Sequence, residues 1–505
     1  MTNQVHKTEI IALLTTVSLI FIFYVLTIRE GHTWGGDFAL YIQHALNIAT
    51  GLPYTNTGYV VNPIIPSVSP YAYPPVFPFI LTPVIKIFGL NLYAFKITLI
   101  LILCITLILF HRLITTKIDQ APLRIFTILL IGLSPWYWDY KDHVLSEFPF
   151  ILFFISFLLV TEKYLSHEKL QIKNEIIYGL SIGLLAYLAY GCRSIGIILI
   201  PVFIVAFLFF RRQIRLALIL SAIIFSLLYG IQNSILSTDA NYASIVTSGE
   251  YDIEDEIDDS FFKNGTILRF MTDNIKTYFY VVQRYWDNGF SLAIRIFVVF
   301  LTTILFGLGL FKLIRIKNIS EFMFISYIGL LLVVPFNQGS RYLLPLLPFY
   351  LIYIIKGTSY LKIFKLLPQH RLLSLSIISL LFLSYLGNYI RHDSSSYEKH
   401  VEGKNALALY QFVNNRLLKT DMIAFRKPRI LSLYTHAHSF SYDPIAAPMN
   451  LWRNFKEMRA SHLLTANNVD VQYAYGIKKL IEKHSNNLEP IYNNEQFTLY
   501  KILSY

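Results

Sequence analysis

Residues Ile10-Ile11-Ala12-Leu13-Leu14-Thr15-Thr16-Val17-Ser18-Leu19-Ile20-Phe21-Ile22-Phe23-Tyr24-Val25-Leu26-Thr27 contain no charge, and Trp34-Gly35-Gly36-Asp37-Phe38-Ala39-Leu40-Tyr41-Ile42-Gln43-His44-Ala45 follow closely. The window 8–27 has the roughly 20 residues a helix needs to cross about 30 Å of hydrocarbon. A secretory signal is the competing reading. It fails because no small-residue cleavage site follows Thr27, and because Arg29 to Asp37 carry functional-looking chemistry. The run is therefore read as the first of a series of spans.

Composition supports the series. The 505 residues are 55% hydrophobic and 15% charged, against about 25% charged in soluble domains, which excludes a soluble enzyme or a disordered scaffold. Lysine and arginine number 43 against 31 acids, a net charge of +12. The basic residues cluster in short segments between apolar runs, as a chain threading a bilayer requires, so nucleic acid is not an expected partner. Cys104 and Cys192 are too far apart in sequence to suggest a disulfide framework or a metal knuckle.

Eleven apolar stretches are expected to span, at about 8–27, 92–111, 122–138, 145–161, 175–190, 194–210, 214–235, 291–311, 320–336, 342–356 and 372–390. With a cytoplasmic N-terminus, every second loop is basic: Arg112, Lys117 and Arg124; Lys163, Lys169 and Lys173; Arg211, Arg212 and Arg215; Lys312, Arg315 and Lys317; Lys356, Lys362, Lys365 and Arg371. The acidic run Glu250 to Asp259 puts loop 236–290 outside. This alternation requires that 74–90 does not cross. Its four prolines, Pro74, Pro75, Pro78 and Pro83, remove backbone donors, and it is read as a juxtamembrane or re-entrant helix pair within the first external loop, 28–91. Irregular backbone at membrane depth must be buried in protein or line a cavity, so this loop is expected to cap one. Residues 391–505 change character: a helical 401–418, strand-like Met422–Phe425 and His462–Thr465, a helical 472–484, and two terminal strands ending in Phe497–Ile502. The expected architecture is an all-α polytopic membrane domain, 1–390, with a small external α/β domain, 391–505.

Asp37, behind two glycines and ahead of an amphipathic helix, reads either as a helix N-cap or as a functional carboxylate beside the capped cavity. At this point the chain resembles a family. The order span, Gly36-Asp37, Tyr41, Ala45, Gly51-Leu52-Pro53-Tyr54, Tyr73-Pro74-Pro75, Phe88-Gly89 is similar to the start of the GT-C polytopic glycosyltransferases, closest to the bacterial lipid A aminoarabinose transferase and the protein O-mannosyltransferases. Ser146-Glu147-Phe148-Pro149, Arg193-Ser194-Ile195-Gly196 and Ser340-Arg341-Tyr342-Leu343-Leu344-Pro345 fall in matching places.

The resemblance implies transfer of a monosaccharide from a polyprenyl-phosphate carrier to an acceptor lipid, glycan or protein, on the external or periplasmic face of a bacterial inner or plasma membrane. Inversion is expected. Asp37 is then the catalytic aspartate. A second carboxylate is expected in the loop Trp136–Glu147: Asp142 and Glu147 are favoured over Asp139, and His143 is expected beside them as a substrate-binding group. Solvated loop charge is the bland alternative, harder to hold for a glutamate at the head of a span. Together with Asp37 these groups are able to hold a divalent cation, and metal use is left open.

Arg193, Arg341 and Lys96 fall at the external ends of spans, where a lipid phosphate would sit. Tyr342 accompanies Arg341, and the competing reading is snorkelling to the interface. Arg284 and Arg295 are weaker candidates. Of the aromatics crowding the first loop, Tyr41 and Tyr73 belong to family-like motifs and are expected to line the site; the rest read as an interfacial belt. His436 and His438 read as a solvated loop rather than as metal ligands. The rival functions are a transporter or flippase of lipid-linked sugars, disfavoured by a single broken segment where paired ones are usual, and an inactive homologue that binds lipid-linked sugars.

Overall fold

A computed structural model of the chain describes residues 2–64, 72–211, 215–236, 266–287, 292–314, 318–334, 338–358, 370–391, 400–443, 446–467 and 474–505. It divides into two compact units. One comprises Met1–Ile28, Lys96–Ile231 and Ser260–Ser394; the other comprises Arg29–Phe95, Gln232–Asp259 and Ser395–Tyr505.

The first unit is helical. Among the described residues six helices are long and apolar enough to cross a membrane: Lys7–Leu26, Leu92–Thr115, Glu147–Ser166, Ile172–Cys192, Leu216–Ser234 and Leu292–Ile314. The chain is on this ground an integral membrane protein. The other five expected stretches are helical too; four are shorter or broken, and the last is the helix His370–Arg391, 22 residues. Ala121–Gly132 stops ahead of Pro135, which opens the short helix Pro135–Tyr140. The stretch after Ser340 passes through a tight turn, Leu344–Leu346, around Pro345 before Leu347–Thr358 begins. Proline lacks the donor that would continue the preceding ladder.

Close approach of backbones fixes one helix pair. A Cβ on Gly309 would lie 1.9 Å from the Tyr353 carbonyl oxygen, and one on Gly357 2.0 Å from that of Leu305. Helices Leu292–Ile314 and Leu347–Thr358 therefore meet through reciprocal glycines, the small-residue packing that works where lipid removes the hydrophobic drive. Buried charges are paired. Arg124 donates Nε and Nη2 to the two oxygens of Glu9 at 2.6 Å each, and Lys117 donates to Glu321 at 2.5 Å. The long loop 236–290 contains a helix the sequence reading did not separate from it, Thr266–Tyr285; its acidic run lies outside the described residues.

The second unit joins the first loop to the C-terminal residues. Residues 74–90 form one helix, Val76–Phe88, rather than the expected pair. Pro75 caps it and Pro78 lies in its first turn, where amides have no intrahelical partner, so only Pro83 costs a hydrogen bond. At 13 residues it reaches about 20 Å, short of a crossing. The second helix of the loop is Asp37–Thr50.

The C-terminal sheet has five strands, β1 (Met422–Ala424), β2 (His438–Phe440), β3 (His462–Ala466), β4 (Leu488–Asn493) and β5 (Phe497–Ile502), in the order β2-β1-β3-β5-β4. β1 pairs in parallel with β2 and β3, while β5 runs antiparallel to β3 and β4. Phe440, Phe455, Leu463 and Leu480 form its core. The first loop adds to the β2 edge: Val60 N–H donates to Ser439 O at 2.9 Å, and Ser439 N–H to Gly58 O at 3.0 Å. Buried Asn62 donates to Ser441 O and Asn454 Oδ1, both at 2.9 Å. Each pairing satisfies a backbone or amide group that would be expensive to bury alone.

Candidate active site

Two constellations of charged side chains stand out, one in each unit. In the second unit Asp37 is the first residue of helix Asp37–Thr50 and not its cap, which is Gly36. Its side chain is 30% exposed. Arg429 Nη1 donates to Asp37 Oδ1 at 3.0 Å, the Tyr73 hydroxyl donates to the same oxygen at 2.8 Å, and Arg429 also reaches the Tyr73 oxygen at 2.9 Å. The Arg429 guanidinium lies over the rings of Tyr59 and Tyr73 at 5.6 and 5.4 Å, within cation–π range. Burial pushes the Tyr73 phenol well above its ordinary range, so it acts as a donor to the carboxylate.

His44 organises this cluster from behind. It is fully buried and stacks on Tyr54 at 4.1 Å. Burial pulls its pKa down to about 3, so the ring is neutral. Nδ1 faces the Tyr54 carbonyl at 2.9 Å, and Nε2 accepts the Tyr73 N–H at 3.2 Å, a pattern that puts the ring proton on Nδ1. Tyr73 is thus fixed through its backbone by His44 and through its ring by Tyr41, whose centroid lies 4.5 Å away. Tyr41 is itself buried. The two expected aromatics are both here, holding one another and the aspartate.

In the first unit Glu147 opens helix Glu147–Ser166 and is 2% exposed. Both expected arginines converge on its Oε1: Arg193 through Nη1, and Arg341 through Nε at 2.5 Å. Arg193 also donates to Gln338 Oε1 at 3.1 Å and lies over the Tyr342 ring at 5.5 Å. Glu147 Oε2 is buried with no hydrogen-bond partner among the described residues. Two guanidinium groups on one carboxylate carry +1 between the three side chains, and Arg341 remains 22% exposed. Such a group suits phosphate oxygens, which guanidinium forks bind with charge-assisted hydrogen bonds.

A second carboxylate with two cations precedes it in the chain. Asp142 is wholly buried, with Lys141 Nζ at 2.5 Å from Oδ2 and Lys96 Nζ at 3.9 Å from Oδ1. Lys141 also sits over Trp138 at 4.8 Å. His143 faces Asp139 at 3.8 Å, both partly exposed. Arg284 lies over Tyr280, and Arg295 pairs with Asp287 at 3.2 Å; neither joins the Glu147 group. Among the described residues no three His, Cys, Asp or Glu side chains come together as a metal ion would need.

Arg429, His44, Lys141 and Gln338 were not foreseen. His44 had a signal, since Asp37, Tyr41 and His44 lie at i, i+4 and i+7 on one helix face. Arg429 had none, being one basic residue among several in Arg426-Lys427-Pro428-Arg429.

No protein-family model and no curated protein matches the sequence. Solved structures do match. The archaeal oligosaccharyltransferase AglB from Archaeoglobus fulgidus, in complex with an inhibitory peptide and a dolichol-phosphate, aligns with TM-score 0.59 at 12% identity over 91% of this chain and 69% of that one. ArnT from Cupriavidus metallidurans, bound to undecaprenyl phosphate, aligns with TM-score 0.54 at 10% identity over 96% and 97% of the two chains. At these identities the likeness is one of fold. The chain has the fold of the GT-C glycosyltransferases, the superfamily its motifs resemble.

Proposed function

We propose that the chain is a membrane glycosyltransferase with eleven crossings, a cytoplasmic N-terminus and an external C-terminal domain, which moves a monosaccharide from a polyprenyl-phosphate carrier to an acceptor hydroxyl. Asp37 accepts the hydroxyl hydrogen bond and takes its proton as the oxygen attacks the anomeric carbon. The bond from that carbon to phosphate oxygen breaks in the same step, so the configuration inverts. Polyprenyl phosphate leaves with one more negative charge than the diester had, and Arg193 and Arg341 stabilise that charge. Glu147 keeps the two guanidinium groups together, Asp142 does the same for Lys96 and Lys141, and Arg429 with Tyr73 orients Asp37.

The observation that carries this reading is the pair of arginines on one buried carboxylate, in a chain whose fold likeness runs nearly end to end along a protein solved with undecaprenyl phosphate. The test is mass analysis of envelope lipids, glycans and proteins from cells with and without the intact chain. A species heavier by one sugar residue, present only with the chain, supports transfer. No covalent difference, with lipid-linked sugar crossing reconstituted vesicles, would make the chain a transporter instead.

A further inference from the structure

The turn Gln338-Gly339-Ser340-Arg341 stands between helices Ile319–Val333 and Leu347–Thr358, and its four residues are partly exposed. Gly339 has φ 59° and ψ −129°, a conformation that residues with a Cβ rarely adopt. A Cβ there would meet nothing within 4 Å. Backbone conformation, and not crowding, therefore demands the glycine, and the turn faces open space.

Hydrogen-bond donors are what the turn presents. Arg193 Nη2 donates to Gln338 Oε1 at 3.1 Å. A guanidinium accepts nothing, so this contact fixes the amide with its oxygen toward Arg193. Gln338 Nε2 is left with two hydrogens and no partner among the described residues. Two residues on, Ser340 Oγ lies 3.2 Å from the hydroxyl of half-buried Tyr140, the last residue of helix Pro135–Tyr140. One hydrogen lies between these oxygens. The pair has a second, and neither oxygen has another partner among the described residues. Burial pushes the Tyr140 phenol up to about 12, with the Glu147 carboxylate adding to the rise and Arg341 opposing it. The phenol thus keeps its proton and lies within reach of both charges.

Arg341 ends the turn, 22% exposed, with Nε on Glu147. The open amide, the spare hydroxyl hydrogen and the guanidinium are all donors, gathered beside three side chains that sum to +1. Such a set suits a ligand group made only of acceptors, as phosphate is. We infer that Gln338 Nε2 and the Tyr140–Ser340 hydroxyl pair donate to the phosphate of the lipid carrier, on oxygens that Arg193 and Arg341 leave open. The inference rests on the carrier reading above and extends it to three uncharged residues.

Native mass spectrometry of the full chain in detergent, titrated with undecaprenyl phosphate, undecaprenol and inorganic phosphate, tests it. Wild type should bind undecaprenyl phosphate saturably, with undecaprenol and inorganic phosphate at least about tenfold weaker. With one hydroxyl removed the other is free to donate to phosphate, so Tyr140→Phe and Ser340→Ala should each cost about threefold or less. The double variant should lose about tenfold, at unchanged melting temperature and with undecaprenol binding unaltered. Should it fail to fold, Gln338→Glu decides: it keeps the oxygen that Arg193 uses, turns the open donor into an acceptor, and should weaken undecaprenyl phosphate by about tenfold or more. Affinity for undecaprenyl phosphate unchanged in these variants, equal losses for both lipids, or inorganic phosphate binding as tightly as the lipid would overturn the inference and leave the carrier reading standing. No saturable binding of undecaprenyl phosphate by wild type would overturn both.

Discussion

Asp37 and Glu147 are both carboxylates at the first turn of a helix, each bound by arginine, and they differ in two respects. Asp37 is 30% exposed and is paired with one arginine; Glu147 is 2% exposed and is shared by two. The first pairing sums to zero and leaves an oxygen-bearing group at a partly open position. The second sums to +1 and leaves cation, with its carboxylate buried beneath. An ionised, oriented carboxylate in a charge-balanced pair suits proton acceptance from a hydroxyl, whereas an excess of guanidinium suits an anion. The same residue types thus suit different chemistry, according to partner count and burial.

That contrast is open to attack from both sides, and the largest effect is expected at Asp37. Asp37→Asn keeps the shape and removes the base, so transfer should fall by about 10²–10⁴-fold while protein abundance in membranes stays level. Quantitative product analysis beside an immunoblot decides this. Retained turnover would remove Asp37 from the chemistry.

Next come the cations. Arg341→Ala should lower kcat/KM for the lipid-linked donor by about 10–100-fold, the value of one or two charge-assisted hydrogen bonds. Arg193→Ala should also destabilise, by about 1.5–3 kcal/mol, the worth of a hydrogen bond to a charged group, since Arg341 still balances Glu147. Arg193→Lys keeps the charge and should recover most of the stability but not the activity, because lysine lacks the fork that binds phosphate oxygens. Thermal melts and donor kinetics on the two variants separate these outcomes.

His44 gives a pH signature to the Asp37 side alone. Its folded pKa, about 3, is depressed below the ordinary value of 6.5, so the unfolded chain takes up the proton first. The contribution of His44 to stability is therefore complete above pH 6.5 and is lost as pH falls toward 3, by up to about 1.4 kcal/mol per pH unit. Melting temperatures of wild type and His44→Gln, measured from pH 7 to 4, should converge with falling pH. Parallel curves would mean that the ring is not held neutral. The smallest effect is Tyr73→Phe, which removes one donor from Asp37 and should cost about 0.5–1.5 kcal/mol of transition-state stabilisation, read as a severalfold drop in kcat.

The two regions also differ in how far they could be read from residues alone. Glu147, Arg193 and Arg341 each stand at a boundary between apolar stretches, and boundaries follow from hydropathy, so their place at span ends was legible, while the convergence of both arginines on Glu147 rather than on a shared site with Asp37 was not. Among the described residues every expected apolar stretch is largely helical. What hydropathy did not convey was where proline would cut the helices, at Pro135 and Pro345. On the other side Asp37 announced itself by its two glycines and its motif, but its partner Arg429 lies 392 residues away and sits in a helix, Pro428–Thr435, too short to leave a periodic trace. Residues 29–95 group with the C-terminal sheet through backbone pairs such as Gly58 with Ser439. Backbone pairing leaves no side-chain signature. Local pattern reports burial and turns, and it is silent on which distant cation a carboxylate will meet.

The most direct measurement is release of polyprenyl phosphate, followed by mass spectrometry, from purified chain in nanodiscs supplied with polyprenyl-phosphate monosaccharides and envelope extract as acceptor. Wild type should release the carrier phosphate with formation of a glycosylated product, and Asp37→Asn should release none above background. Equal release by both proteins, or no release by wild type from any donor, would contradict the assignment.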